Sequence, residues 1–362
     1  MTDMVKIDLI TGFLGSGKTT FIRKYGRYLM EQGRHIGILE NDFGAINVDM
    51  MLLQDLCGEN CELEMVSGGC DRDCHIRRFK TKLIAMGMSG YDRVIVEPSG
   101  IFDVDEFFDT LREEPLDQWY EIGNVIAVVD AGLEEELSKE ADYLLASEVA
   151  CAGAIVLSHA DEVPEDRVTN TIAHLNRALS EIQCDRRLDG LILKKSTMEL
   201  ESSDLKMLSQ CGYVSASYRK MALGEYQGFD SLFFMNQEMT KKALEERVKG
   251  IFADSACGEV FRIKGFLKVE KETENAAEAG KTVKVKKTSK IGDMEETENA
   301  TENATDGEKM QKAEEQWLEL NATKEAMSLK PIANGQEVLI VIGEHLNKKA
   351  ITSYIEGGQK YE

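Results

Sequence analysis

The sequence predicts an α/β fold, in which a mainly parallel sheet carries helices on both faces, followed by a smaller α+β domain. Three observations lead to this prediction. Short runs rich in Val and Ile recur through the first half, and amphipathic stretches separate them. The runs scarcely alternate between apolar and polar residues, which is typical of strands buried on both faces. A glycine-rich loop follows the first run directly and precedes a helical pattern.

The elements follow from these patterns in chain order. Helices are predicted at 19–32 and 79–86, because apolar residues recur there at helical spacing. Strands are predicted in the first half at 7–10, 35–39, 93–97, 125–129 and 154–157.

The pattern changes in the last third of the chain, where strands mix with fewer helices. The predicted domains are therefore 1–222, with the parallel sheet, and 223–362, an α+β unit. In the second unit, strands are predicted at 231–235, 259–269, 317–320 and 338–342, with helices at 238–252 and 346–355.

A polar stretch at about 270–316 interrupts the second unit. It contains no Leu and no aromatic residue, and Thr-Glu-Asn-Ala begins three times, at Thr273, Thr297 and Thr301. Such a segment buries too little apolar surface to offset the entropy lost on ordering. We expect most of it to be a flexible insertion, although 282–287 could extend a hairpin.

Charge and composition restrict the partners. The 362-residue chain has a formal net charge of −22, which disfavours nucleic acid and anionic membranes as partners. We see no signal peptide and no apolar run long enough for a bilayer, so a cytoplasmic location is expected. In that compartment the eight cysteines are expected to be thiols or metal ligands rather than disulfides.

The glycine-rich loop has the spacing of a phosphate-binding loop. Gly12, Gly17, Lys18 and Thr19 fit the pattern G-x-x-x-x-G-K-[ST] between a strand and a helix. Backbone N–H groups and the helix N-terminus would bind phosphate oxygens, Lys18 would reach the β- and γ-phosphates, and Thr19 would ligate Mg²⁺. The predicted nucleotide-binding residues of this loop are Gly12, Gly15, Ser16, Gly17, Lys18, Thr19 and Thr20.

Acidic residues follow the predicted strands, where phosphoryl transfer needs its remaining groups. Glu40, Asn41 and Asp42 follow the second strand, and Glu97 ends the third. We expect Lys18, Asp42 and Glu97 to serve catalysis, and Glu97 also to serve Mg²⁺. Helix capping or solvation is the alternative for each acidic residue, including Asp130 after the fourth strand.

The segment from Ser158 to Asp161, after the fifth strand, bears on the choice of base. GTPases place [N/T/S]-K-x-D here, because one carboxylate accepts from both N1–H and N2–H₂ of guanine. Ser158 and Asp161 are therefore predicted to contact the nucleotide, and His159 replaces the usual Lys. The alternative is a loop that caps the next helix.

Four cysteines lie close together in sequence, in two C-x₃-C pairs: Cys57 with Cys61 and Cys70 with Cys74. His75 is adjacent to the last. Thiolates suit Zn²⁺, Cu(I) or iron–sulfur centres. We predict a transition-metal site at Cys70 and Cys74 with Glu40 nearby, and leave open whether Cys57, Cys61 and His75 join it. Thiols without metal are the alternative.

Several segments together resemble the CobW-like branch of metal-related P-loop GTPases, relatives of the urease and hydrogenase nickel-insertion GTPases. They agree in order and spacing over nearly the whole chain except the polar stretch. The family's C-x-C-C hallmark is replaced by Cys70-Asp71-Arg72-Asp73-Cys74, and the His-rich tract of many members is missing. The segments begin at Thr11, Glu40, Gly68, Glu97, Val128, Ser158 and, in the second domain, Arg262.

The resemblance implies GTP and Mg²⁺ as cofactors and slow hydrolysis tied to a partner. It also implies Zn, Co or another transition metal, and a client protein in metal delivery or in a metallocofactor pathway, including cobalamin metabolism. A homodimer is possible within this hypothesis. One alternative is a GTP-dependent regulatory module in cobalamin or methyl-transfer metabolism without cargo metal. A small-molecule kinase is another, although Asp161 argues against ATP.

Overall fold

The computed structural model describes residues 4–13, 15–42, 48–67, 72–98, 104–220, 229–237, 239–270, 315–324, 326–333 and 335–357. These ranges form a seven-stranded sheet and a five-stranded sheet. The predicted domain boundary, between 222 and 223, falls within 221–228, outside the described ranges. Nearly all of the polar insertion, including 282–287, also lies outside these ranges.

The first sheet contains β1 (Val5–Thr11), β2 (Ile36–Asp42), β3 (Cys61–Ser67), β4 (Arg93–Pro98), β5 (Tyr120–Asp130), β6 (Ala154–Ser158) and β7 (Leu191–Leu193). Its helices are α1 (Lys18–Glu31), α2 (Val48–Leu53), α3 (Arg72–Gly87), α4 (Val104–Leu111), α5 (Leu116–Trp119), α6 (Lys139–Ala150), α7 (Glu165–Glu181) and α8 (Ser202–Leu208).

The strand order of this sheet is β3-β2-β4-β1-β5-β6-β7, and every pairing is parallel. Apolar clusters cover both faces. The predicted parallel α/β sheet is therefore confirmed. Since β1 is central and β2 lies beyond β4, the chain leaves the middle of the sheet in both directions, which opens a crevice at the carboxyl ends of the strands.

The second sheet belongs to the smaller domain. The elements of this domain are β8 (Phe229–Met235), α9 (Lys241–Ala253), β9 (Glu259–Glu270), β10 (Glu315–Ala322), β11 (Met327–Ile332), β12 (Val338–Glu344) and α10 (Lys348–Ile355). The strand order is β11-β10-β9-β12-β8, with antiparallel pairings. Helices α9 and α10 pack on one face of the sheet. The opposite face contacts Met51 and Leu52 of α2 in the first domain.

Three strands were not predicted: β3, β7 and β11. Each lies at an edge of its sheet, where side chains are partly exposed. Within the described ranges, no helix combines the length and the apolarity that a bilayer crossing requires.

Candidate nucleotide and metal site

The glycine-rich loop joins the end of β1 to the start of α1. Helix α1 begins at Lys18, and its N-cap is Gly17, with φ 92° and no side-chain cap. The first turn contains no acidic residue. The N–H groups of the first turn therefore have no capping side chain, and together with the helix dipole they suit an anion such as a phosphate group.

Besides Gly17, two further loop positions require glycine. At Gly12 a Cβ would stand 2.1 Å from the carbonyl oxygen of Val128 in β5, and φ is +142°. At Gly15 φ is +84°, in the left-handed region that L side chains rarely adopt. The loop thus lies directly on the neighbouring strand, and its backbone can approach a ligand closely.

Lys18 lies against the loop backbone. Its side chain is buried, and Nζ donates to the carbonyl oxygens of Gly12 at 2.7 Å and Phe13 at 3.4 Å. The ammonium group is therefore held beside the loop by two neutral acceptors. Phosphate oxygens would be stronger partners for it, because hydrogen bonds between charged groups exceed those to neutral carbonyls.

Thr19 and Glu97, which the sequence predicted for Mg²⁺, are in contact. Thr19 Oγ1 donates to Glu97 Oε1 at 3.2 Å. Glu40 pairs with Glu97 across β2 and β4, and both are buried, at 3% and 5% exposed. Paired residues on parallel strands lie about 5 Å apart at their Cα atoms. Two buried carboxylates beside a hydroxyl are oxygen donors that suit a divalent cation such as Mg²⁺.

Polar groups with unfilled hydrogen-bonding capacity lie at the same edge. Asn41 is 1% exposed, and neither Oδ1 nor Nδ2 has a hydrogen-bond partner among the described residues. The same holds for Ser16 Oγ in the loop. Buried amides are normally satisfied, so these atoms indicate a place for a ligand or for water. Asp42 ends β2 beside them.

The predicted base-contacting segment is joined to the loop. Ser158 Oγ donates to the carbonyl oxygen of Ser16 at 2.7 Å. Asp161 is exposed in the turn after β6, where its carboxylate is accessible to a base. His159 has φ 53°, and its Nδ1 lies 3.1 Å from Asp130 Oδ2. That hydrogen bond raises the pKa of His159.

The structure assigns Asp130 a local role. Its other carboxylate oxygen, Oδ1, accepts from the Gly132 backbone N–H at 2.8 Å. Asp130 therefore fixes the turn after β5 and the His159 ring.

Cys61 and Cys74 lie at opposite ends of β3. Cys61 begins the strand and Cys57 precedes it, whereas Cys74 lies in the first turn of α3 beyond the end of the strand. Cys61 and Ser67 are the first and last residues of β3, and the strand spans about 20 Å between them. Burial and the neighbouring Cys57 raise the pKa of the Cys61 thiol to about 12, which disfavours the thiolate. The structure therefore does not bring Cys57 and Cys61 to the nucleotide edge.

The second pair is only partly described. Cys74 is half-buried and His75 is buried, both in the first turns of α3, while Cys70 lies outside the described residues. Over the part of the chain that the structure describes, no three His, Cys, Asp or Glu side chains form a metal-ligating group.

Sequence reasoning missed one buried acid. Glu148 in α6 is 2% exposed, and its Oε2 has no hydrogen-bond partner within the described residues. Burial raises the pKa of Glu148 to about 8, and the positive charge of Lys18 opposes that rise. No motif marks the residue, because only the fold places α6 near the loop.

Several known proteins resemble this chain. It is 30% identical over 182 residues to the zinc chaperone YjiA of Escherichia coli, covering 48% of this chain and 55% of that protein. It is 24% identical over 186 residues to the zinc-regulated GTPase metalloprotein activator 1 of Schizosaccharomyces pombe, covering 48% and 44%. The chain spans about half the length of these curated relatives.

Among solved structures, Zn(II)-bound YjiA GTPase from Escherichia coli aligns with a TM-score of 0.36 at 19% identity, covering 99% of this chain and 100% of that one. A family model described as the nucleotide-binding domain of CobW, HypB and UreG matches residues 6–187. That match takes in half of the chain and includes the loop, the paired carboxylates and the segment ending at Asp161. The chain therefore belongs to the CobW/HypB/UreG family.

Proposed function

We propose that this chain binds GTP with Mg²⁺, hydrolyses it, and uses the nucleotide cycle to deliver a transition metal to a client protein. The observation that carries the proposal is the contact between Thr19 and Glu97, with Glu40 beside it, at the start of a helix with no capping side chain. An anion site and a cation site thus adjoin, as a magnesium–triphosphate complex requires.

In the proposed reaction the protein supplies position and charge. Backbone N–H groups and Lys18 hold the phosphates, and Thr19 with Glu97 would hold Mg²⁺, which stabilises charge on the phosphates. Asp42 lies at the end of β2, from which a side chain can orient the attacking water. Slow hydrolysis without a partner is part of the proposal.

The preference for guanine rests on Asp161. Its exposed carboxylate follows β6, and the same turn is joined to the loop through the hydrogen bond from Ser158 to Ser16. A base bound there would lie at a fixed distance from the phosphates. An acceptor carboxylate matches the two N–H donors of guanine and finds no such pair on adenine.

The names of the relatives indicate zinc as the metal. One of the two curated relatives described above is named a zinc chaperone, and the other is named a zinc-regulated GTPase metalloprotein activator. In this chain we assign the metal to the segment around Cys70, Cys74 and His75, with Glu40 at the end of β2. These ligands would be of the sulfur, nitrogen and oxygen types that Zn²⁺ accepts.

A second function is favoured by the sequence around the cysteines, where Cys70-Asp71-Arg72-Asp73-Cys74 replaces the family's C-x-C-C motif and the His-rich tract is missing. This supports a GTP-dependent partner-binding module that carries no cargo metal. Metal content of protein purified without oxygen separates the two proposals, since only the first predicts metal that is lost when Cys70 and Cys74 are replaced.

Calorimetric titration of nucleotides tests the GTP proposal. We expect the parent to bind GTP more tightly than ATP when Mg²⁺ is present, and to release phosphate from GTP. Asp161→Asn should weaken GTP binding about 10- to 100-fold, because a hydrogen-bonded charge contributes roughly 1.5–3 kcal/mol. The same variant should gain affinity for xanthosine triphosphate, whose base has a carbonyl where guanine has an amino group.

Asp166→Asn is the matched control, because Asp166 is also exposed and lies in the first turn of α7, only five residues away. It should bind GTP like the parent. Equal binding of GTP and ATP by the parent, or no change in Asp161→Asn, would contradict the assignment of guanine.

A further inference from the structure

The smaller domain contacts the phosphate loop directly through β9. The ring of Phe261 meets the ring of Phe13 edge to face, with centroids 6.2 Å apart. The next residue, Arg262, places its Cδ 3.4 Å and its Nε 3.8 Å from the point where a Cβ on Gly15 would stand. Because Gly15 has no side chain, the arginine can lie against the backbone of the loop.

Arg262 is held in this position from within its own domain. Its Nε donates to Asn321 Oδ1 on β10 at 2.8 Å. One of the five N–H donors of the guanidinium group is thereby used, and the group is always charged at physiological pH. An anchored, half-buried arginine has lost much of its side-chain entropy before any ligand binds, so it is suited to bind an anion.

The local charge supports this role. The chain has a net charge of −22, so a polyanionic nucleotide needs cations that are placed specifically. Lys18 supplies one from within the loop, at the side facing Gly12 and Phe13. Arg262 supplies a second from outside the loop, at Gly15, and the two positive groups therefore approach the same loop from different domains.

We propose that Arg262 binds the terminal phosphates of the bound triphosphate and stabilises their charge during hydrolysis, so that the second domain completes the active site. The proposal rests on the proposed function as a GTPase. In the step concerned, water bonds to the γ-phosphorus while the bond to the β–γ bridging oxygen breaks, giving GDP and inorganic phosphate. One water proton stays on the phosphate, and the other leaves to solvent. An arginine placed at these oxygens accelerates such reactions strongly in other phosphoryl-transfer proteins.

The test compares Arg262→Gln with the parent in two assays. Single-turnover GTP hydrolysis should fall about 100-fold or more. Affinity for a non-hydrolysable GTP analogue should fall at least fivefold more than affinity for GDP, because GDP lacks the γ-phosphate that the arginine contacts. Arg187→Gln, an exposed arginine that bonds Ser180 Oγ, is the control for loss of one positive charge and should match the parent.

Thermal unfolding verifies that Arg262→Gln is folded, and Asn321→Ala provides a second variant, which releases the Nε anchor and should slow hydrolysis by a smaller factor. The proposal is overturned if hydrolysis by folded Arg262→Gln stays within threefold of the parent. It is also overturned if affinities for GDP and for the GTP analogue fall equally, which would indicate a structural contact with the loop. If the parent itself neither binds nor hydrolyses GTP, the proposed function fails instead.

Discussion

A single buried carboxyl group, that of Glu148 in α6, should make the stability of the chain depend on pH. Burial raises the pKa of Glu148 from 4.5 to about 8, and Oε2 has no hydrogen-bond partner in the described part of the chain. The folded protein therefore keeps the proton at pH values where the unfolded chain has lost it. Its stabilising contribution is fully present below about pH 4.5 and is lost as the pH rises through about 8.

Replacing this acid with its neutral isostere tests the effect. For Glu148→Gln, the free energy of unfolding relative to the parent should rise between pH 5 and pH 9, by on the order of a few kcal/mol. Denaturant titrations of nucleotide-free protein at several pH values provide the measurement. Glu140→Gln, on the same helix and only half-buried, should track the parent. Parallel curves for Glu148→Gln and the parent would show that the carboxyl group stays accessible to water.

At the scale of elements, the pairing of β2 with β4 determines the cation site, because it places Glu40 beside Glu97. The start of α1 then brings Thr19 to the same point. Glu40 lies on β2 and Glu97 lies on β4. A change in the register of these two strands by one residue would therefore turn one carboxylate to the other face of the sheet.

Glu97→Gln should separate binding of Mg²⁺ from binding of the nucleotide. With Mg²⁺ present, GTP affinity should fall about tenfold or more, because a neutral amide is a weaker ligand for a hard cation. With the metal removed by a chelator, the variant and the parent should bind GTP equally. Glu121→Gln, an exposed residue near the amino end of β5, should leave both affinities unchanged. A loss of the same size in the chelator would mean that Glu97 acts on the nucleotide or on the fold.

How far the sequence predicted the fold depended on burial. Strands β1, β4, β5 and β6 are apolar and lie inside the sheet, so their composition marked them clearly. Edge strand β3 carries an exposed Glu62 and a half-buried Glu64, and edge strand β11 carries Lys330 and Pro331. Exposed edges tolerate polar residues and proline, which makes such strands resemble loops in a sequence.

In the candidate site, the sequence identifies those residues that belong to a local motif. The loop, with Thr19 and Lys18, has a fixed spacing that elementary phosphate chemistry explains. Glu148 and Arg262, in contrast, reach the loop from α6 and from β9 of the second domain. Their positions depend on tertiary packing, which no local pattern in the sequence reveals. Whether Cys57 and Cys61 join the second cysteine pair, which the sequence left open, also depends on the fold, because β3 lies between Cys61 and Cys74.

At the scale of the whole molecule, the two domains meet along the edge that carries the nucleotide site. Ser138 Oγ, after β5, donates to Glu344 Oε1 at the end of β12 at 2.8 Å. Lys324 lies 3.5 Å from Glu134 in the first domain and 3.4 Å from Glu259 in its own. Met51 and Leu52 of α2, shortly after β2, pack on the second sheet. A movement of α2 would therefore be transmitted to the smaller domain.

The proposed nucleotide site and the proposed metal ligands share the carboxyl edge of the first sheet. Strand β2 ends at Asp42 and β3 ends at Ser67, at the carboxyl edge of the sheet where Glu40 pairs with Glu97. We propose that binding of the γ-phosphate at this edge and binding of metal near Cys74 favour one another, so that metal and nucleotide affinities are coupled reciprocally.

The coupling between metal and nucleotide is tested by measuring the Zn²⁺ affinity of the protein in two nucleotide states. Protein loaded with a non-hydrolysable GTP analogue and Mg²⁺, and protein loaded with GDP and Mg²⁺, are titrated against a chromophoric zinc chelator. We expect the GTP-analogue state to bind Zn²⁺ at least about tenfold more tightly than the GDP state, a coupling of roughly 1.4 kcal/mol. We also expect Cys74→Ser to abolish this difference. Equal Zn²⁺ affinity in the two states would contradict the proposed coupling.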